Sequence, residues 1–242
     1  MLAIDVGNTR IKLAEWRDGA WQSYSSHMYN AHALAKILDA TLKNFAPQPV
    51  YIACVVDDVT SQLSYWFEQQ WKLKPIYCKS NREQAGVTNG YEKADTLGID
   101  RWLSMIAAYN KFKSSVCVIG CGTAVTFDVV SDDGVHQGGL IMPGLRLMQQ
   151  SLLTGTSKIG AVNGVVSVLG KSTGDAVESG CVQLMARGLD GLIQKQLNGN
   201  AGMRVVITGG DARHIIGQMQ MQSQYVDTLV LDGVRIVATL VS

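Results

Sequence analysis

Three short stretches of this 242-residue chain hold side chains suited to phosphate and proton chemistry. The first is Asp5-Val6-Gly7-Asn8-Thr9-Arg10-Ile11-Lys12. An apolar run reaches a carboxylate, turns on glycine and asparagine, and returns with a hydroxyl and an amine. Glycine lets the backbone approach an anion closely, and successive N–H groups can point at its oxygens. Asp5 can hold a hydrated Mg²⁺ bridging phosphate oxygens, and Lys12 adds a point charge. The second stretch, Gly120-Cys121-Gly122-Thr123-Ala124, repeats the strand, the glycine and the threonine. Two such hairpins facing each other would grip a nucleoside triphosphate from both sides. The third, Thr96-Leu97-Gly98-Ile99-Asp100-Arg101, opens a helical pattern. Asp100 there suits a helix cap and the helix dipole. An adjacent Asp and Arg after a glycine also suit a substrate site, the Asp accepting a hydroxyl proton and the Arg binding a carboxylate through two parallel hydrogen bonds. Thr208-Gly209-Gly210-Asp211 adds a glycine turn after a strand, fit for close approach of an adenine or ribose.

The elements that must position these residues follow from periodicity. Residues 2–6 read as a buried strand, 10–16 as its return, and 21–24 as a third strand after the Asp18-Gly19 turn. Gly7 and Asn8 are expected to supply the positive backbone angles of the first turn. Helical spacing covers 31–44, 60–71, 97–112 and 172–196, and 234–240 reads as a closing helix. Strands are expected at 50–56, 116–119, 124–130 and 204–208. The arrangement that opens the chain at Ile4 recurs at Ile119. An internal duplication follows, with a cleft between copies spanning 1–114 and 115–242.

Composition narrows the function classes. Lys and Arg number 21 against 20 Asp and Glu, a net charge of +1, and no basic run appears; a dedicated nucleic-acid binder is not expected. No apolar stretch approaches the roughly 20 residues of a spanning helix, and Asp5 and Arg10 interrupt any leader pattern, so no membrane partner is expected. The five cysteines are scattered, which fits reduced thiols in a cytoplasm. Cys117 and Cys121 read as small buried hydrophobes. The four histidines lie far apart, near no carboxylate motif.

The chain resembles the type III pantothenate kinases. The resemblance runs nearly its whole length. It rests on residues 5–12, Gly98-Ile99-Asp100-Arg101, Gly122-Thr123-Ala124-Val125-Thr126-Phe127-Asp128 and Gly138-Gly139-Leu140-Ile141-Met142-Pro143-Gly144, with Ser172-Thr173 and Thr208-Gly209-Gly210-Asp211 in support. It implies an α/β fold of two ribonuclease-H-like, actin-like domains with mixed sheets. It implies ATP-dependent phosphorylation of pantothenate to 4′-phosphopantothenate, the first step of coenzyme A synthesis. Carried over by position, Asp5, Val6, Gly7, Asn8, Thr9, Arg10, Ile11, Lys12 and Thr123 would bind ATP. Asp100 would be the base, and Tyr91, Gly98, Ile99, Asp100, Arg101 and Thr173 would line the pantothenate site. Mg²⁺ with ATP, a monovalent cation (K⁺ or NH₄⁺), a cytoplasmic location and a homodimer are implied too. One position departs: the aspartate that the family ties to the monovalent cation is Gly120 here, which leaves no metal ligand assigned. Two other readings belong to the same fold, a non-catalytic nucleotide-binding regulator of gene expression and a nucleoside-triphosphate or polyphosphate hydrolase. An intact Asp5, Asp100 and Thr123 argue against the first, and the Gly-x-Asp-Arg motif against the second.

Overall fold

The computed structural model describes residues 1–160, 163–200 and 202–240. The chain forms two compact units. One comprises Met1–Lys111 together with the C-terminal segment from Thr228; the other runs Phe112–Asp227. The repeat in the sequence places a division at 114/115, whereas contacts assign the last helix to the first unit.

In the first unit, strands β1 (Leu2–Val6), β2 (Arg10–Arg17) and β3 (Ala20–Met28) form an antiparallel meander. Strands β4 (Val50–Cys54) and β5 (Ile76–Tyr77) add in parallel on the other side of β1, giving the order β3-β2-β1-β4-β5. Asp18 and Gly19 both take positive φ (54° and 78°), the geometry that lets a two-residue turn match strand twist. Along β1 large and small residues alternate. Leu2, Ile4 and Val6 face helices α1 (Leu34–Leu42) and α2 (Asp57–Trp71) in one core. Ala3 and Asp5 lie on the opposite face, with the buried Ala14 and Ala53 opposite them in register. Small residues there let the final helix, Leu229–Ala238, pack on β1 and β4. That helix begins earlier than its apolar pattern suggested. It is tied to the meander by Trp21 Nε1 donating to Asp232 Oδ1 at 2.9 Å, and Arg235 lies 4.5 Å over the Trp16 ring.

Between β5 and helix α3 (Ile99–Phe112) runs a loop that periodicity did not resolve into elements. It holds a small hairpin, β6 (Glu83–Gln84) with β7 (Val87–Thr88), closed by Ala85 and Gly86 at φ 52° and 80°.

The second unit repeats the plan. Strands β8 (Val116–Cys121), β9 (Ala124–Val130) and β10 (His136–Pro143) form a meander, followed by helices α4 (Leu145–Gly155) and α5 (Thr173–Leu197). Strand β11 (Arg204–Thr208), helix α6 (Ala212–Ile216) and strand β12 (Gln224–Tyr225) complete it, and Leu229–Ala238 is α7. The sheet order β10-β9-β8-β11-β12 matches that of the first unit strand for strand. Cys117, Ile119 and Cys121 pack with Val182, Leu189 and Ile193 of α5. Burial pushes the Cys121 thiol up to about 12, so it behaves as the small hydrophobe expected. One histidine is a buried structural residue. His136 Nε2 lies 3.0 Å from Asp128 Oδ1, both buried, because the β9–β10 register brings together residues eight apart.

Candidate active site

Asp5 sits one residue before the end of β1, and the register places Lys12 of β2 directly opposite it. Directly opposed residues share a sheet face, so carboxylate and amine project together. Asp100, in the first turn of α3, acts on the same carboxylate. Burial pushes the Asp5 carboxyl up to about 7; the Lys12 charge pulls it down and the Asp100 charge pushes it up. An acid held this far above its ordinary range, beside a cation and a second acid, is the kind of group that functional sites build.

The turn between β1 and β2 is held from below. Gly7 N–H donates to Arg10 O at 2.9 Å, Tyr29 O–H donates to Gly7 O at 2.9 Å, and Tyr29 N–H donates to Thr9 O at 3.2 Å. Neither Gly7 nor Asn8 has a positive φ, which corrects the turn chemistry expected. A Cβ at Gly7 would meet only Arg10 O, at 3.5 Å; the glycine leaves the mouth of the hairpin bare rather than supplying a left-handed angle. Val6 and Ile11 are fully buried, so only their backbone faces a ligand. Tyr29 had no signal in the sequence beyond its type.

Gly98 has a physical reason as well. A Cβ there would lie 2.8 Å from Asp100 Oδ1, so the glycine makes room for the carboxylate to fold back over the helix start. Its carbonyl accepts the first helical hydrogen bond, from Trp102 N–H at 3.0 Å. Asp100 therefore lies inside the first turn, where the helix dipole favours its charge. Arg101, next in sequence, is buried; its Nη1 donates to Tyr91 O–H at 2.8 Å and its guanidinium lies 5.4 Å from the Tyr91 ring centre. Ile99 points into the core at 8% exposure and offers a ligand no side chain.

The first unit thus brings together Asp5 to Lys12, Tyr91 and Gly98 to Arg101. Thr123 and Thr173 belong to the second unit. Thr123 is exposed in the β8–β9 turn, where Thr123 O accepts from Gly144 N–H at 3.1 Å. Thr173 is the exposed first residue of α5, whose start is capped by Ser172 accepting from Asp175 N–H at 3.1 Å. After β11, Gly209 takes φ 106°, and a Cβ there would overlap the backbone of Cys121. Glycine is required for β11 to turn this close to the second hairpin.

Two ions implied by the resemblance fare differently. Asp5 offers the hard oxygen donor that Mg²⁺ takes, and a cation there would offset the burial that raises its carboxyl. At Gly120 the carboxylate that the resemblance leads one to expect is missing. Its neighbours across the sheet are Thr126 of β9 and Thr208 of β11, and a Cβ at 120 would lie 2.8 Å from Thr126 Oγ1. The position offers hydroxyls, including the buried Thr208 Oγ1, and no carboxylate. Among the described residues no cluster of three or more His, Cys, Asp or Glu could hold a metal.

Comparison with known proteins adds the family and the fold. The family model of the type III pantothenate kinases matches residues 1–195. A type III pantothenate kinase of Nitrosococcus oceani is 31% identical, the match covering 98% of this chain and 93% of that one. Among solved structures, one described as a Baf family transcriptional activator from Campylobacter jejuni superposes with a TM-score of 0.63 at 20% identity, over 99% of this chain and 98% of that one. MreB 5 of Spiroplasma citri bound to AMPPNP gives 0.51 at 9% identity, over 99% and 96%. The structural likenesses establish the duplicated actin-like α/β fold. The family model over residues 1–195 and the relative matched over nearly the whole chain lead to one conclusion: this chain belongs to the type III pantothenate kinase family.

Proposed function

We propose that Asp5, Lys12 and Asp100 carry the reaction of this family, the ATP-dependent phosphorylation of pantothenate to 4′-phosphopantothenate at the entry to coenzyme A biosynthesis. The observation that carries the reading is the placement of Asp100. Its charge raises the Asp5 carboxyl, Asp5 faces Lys12 across the β1–β2 pair, and Arg101, next to Asp100 in sequence, donates to Tyr91. Phosphoryl transfer needs positioning and charge neutralisation more than covalent help from the protein. The backbone of 7–9 and Lys12 receive the phosphates, and Asp5 is the residue to hold Mg²⁺. That ion, when bound, neutralises phosphate charge. Asp100 accepts the proton of the primary hydroxyl of pantothenate as its oxygen bonds to the γ-phosphorus and the bond to the ADP oxygen breaks. Arg101 with Tyr91 anchors the carboxylate end, so remote binding becomes orientation. The roles that the resemblance gives Thr123 toward ATP and Thr173 toward pantothenate belong to this proposal. A cytoplasmic location and a homodimer belong to it as well. The unpaired thiols support the first, and the apolar side chains exposed on and beside α5 support the second. No step is assigned to a monovalent cation.

A coupled ADP-release assay with and without pantothenate tests the reading. Release that depends on pantothenate identifies the kinase, release independent of it a hydrolase, and none a regulator. Asp100→Asn should lower turnover by about 10² or more while the protein stays folded. Turnover unchanged in that variant would remove Asp100 from the role.

A further inference from the structure

The loop that carries Tyr91 is gathered by two side chains, Arg82 and Asn89. Arg82 reaches across the base of the β6–β7 hairpin. Its Nη1 donates to Asn89 O and to Tyr91 O, both at 2.8 Å, and its Nη2 donates to Glu92 O at 2.7 Å. Three carbonyls of one loop segment are thereby gathered onto a single planar guanidinium, an arrangement that the fixed fork of arginine makes possible. The buried Asn89 completes the clamp. Its Nδ2 donates to Ala94 O at 3.1 Å and Asn81 O at 3.3 Å, and its Oδ1 accepts from Tyr91 N–H at 3.0 Å. The hairpin from which Arg82 springs is itself fastened to α3. Trp102 Nε1 donates to Gln84 Oε1 at 3.1 Å, and Asn110 Nδ2 donates to Ala85 O at 2.8 Å. A closed circuit results: α3 holds the hairpin, Arg82 holds the loop, the loop holds Tyr91, and Tyr91 receives Arg101 of α3 itself.

We infer that Arg82 is a positioning residue for the acceptor substrate, setting pantothenate affinity by ordering residues 89–92 before the substrate arrives. The inference rests on the proposed pantothenate site. Its logic is preorganisation: a loop ordered in the free protein does not lose its freedom on binding, and loop ordering otherwise weakens affinity. ATP has no share in this circuit, since its proposed residues are on the β1–β2 hairpin and at Thr123 in the β8–β9 turn. The effect should therefore be selective for one substrate.

The test is Arg82→Gln in the full chain, with Arg82→Lys as the conservative variant. Steady-state kinetics are read against pantothenate and ATP separately, and amide hydrogen exchange is followed over residues 89–93. Arg82→Gln should raise the KM for pantothenate about tenfold, leave kcat and the KM for ATP within about threefold, and speed exchange in the loop. Arg82→Lys, with one nitrogen for three carbonyls, should fall between the two. An unchanged pantothenate KM overturns the inference, as does a fall in kcat with both KM values altered alike. If Arg82→Gln does not fold, Arg82→Lys is read against the same outcomes. Should the wild-type protein show no pantothenate-dependent turnover, the functional reading fails, and loop exchange decides the clamp alone. Faster exchange in the variant upholds it and unchanged exchange overturns it.

Discussion

The strongest physical statement at the scale of single residues concerns Asp5. Its carboxyl is raised from an ordinary 3.8 to about 7, chiefly by burial. Between those two values the folded protein holds a proton that the unfolded chain has released. Stability in the absence of ligand therefore falls as pH rises through that window and levels off above about 7. Each pH unit inside it is worth at most about 1.4 kcal/mol. Thermal unfolding of the ligand-free protein at pH 5, 6, 7 and 8 should show this decline, and Asp5→Asn should flatten it and be the more stable protein at pH 8. Parallel profiles for the two would mean that Asp5 ionises in the fold as freely as in water. The same variant should lose activity, because the charge that costs stability is the one proposed to hold the metal. Asp5, Lys12 and Asp100 could be picked out as candidates in the sequence because their types and spacing suit a chemistry. Tyr29 and Arg82 could not. Their partners are backbone carbonyls, which every residue carries, so nothing in sequence marks the pairing in advance.

Elements were legible where turn residues announce them. Asp18-Gly19 specified its hairpin, and the glycines at 7 and 122 marked the two turns that matter, though through bareness rather than left-handed angles. The β6–β7 hairpin escaped notice because alanine at 85 takes a positive φ that the sequence gives no reason to expect. The last helix was legible as a helix but not in its allegiance, since an apolar stripe does not say which sheet it covers. Its seating is tight. A Cβ at Gly233 would overlap Leu103 O of α3 and come 2.7 Å from Leu103 Cβ. Replacing Gly233 by Ala should therefore push the two helices apart and cost roughly 1–3 kcal/mol, the usual range for overpacking. Urea unfolding would check this. Wild-type stability in the variant would show that α7 can shift along α3 without loss.

At the scale of the whole molecule, two identical strand orders in one chain show a duplicated plan whose halves have diverged in side chains. The acid that opens the first hairpin has no counterpart at Gly120. The second unit also carries apolar surface that it does not cover. Val165, Val168 and Leu169 are 75%, 86% and 82% exposed, and Leu184 on α5 is 66% exposed. Ser167 N–H donates to Ser179 Oγ at 2.9 Å and Gln183 Nε2 to Ser167 O at 2.8 Å, so the segment is pinned to α5 with its apolar side chains turned outward. If this surface joins two copies, the protein in solution should have twice the mass of one chain by light scattering. Val168→Glu with Leu184→Glu should then yield single chains that remain folded; a wild-type protein of single-chain mass would end the dimer reading. The division of the first unit has a further consequence, for biogenesis. The helix that covers β1 and β4 is translated only after the entire second unit, which at ribosomal speeds is a delay of roughly ten seconds. Throughout that interval β1 and β4 lack the helix that packs on them in the folded protein, so the first unit closes only when the last residues of the chain arrive.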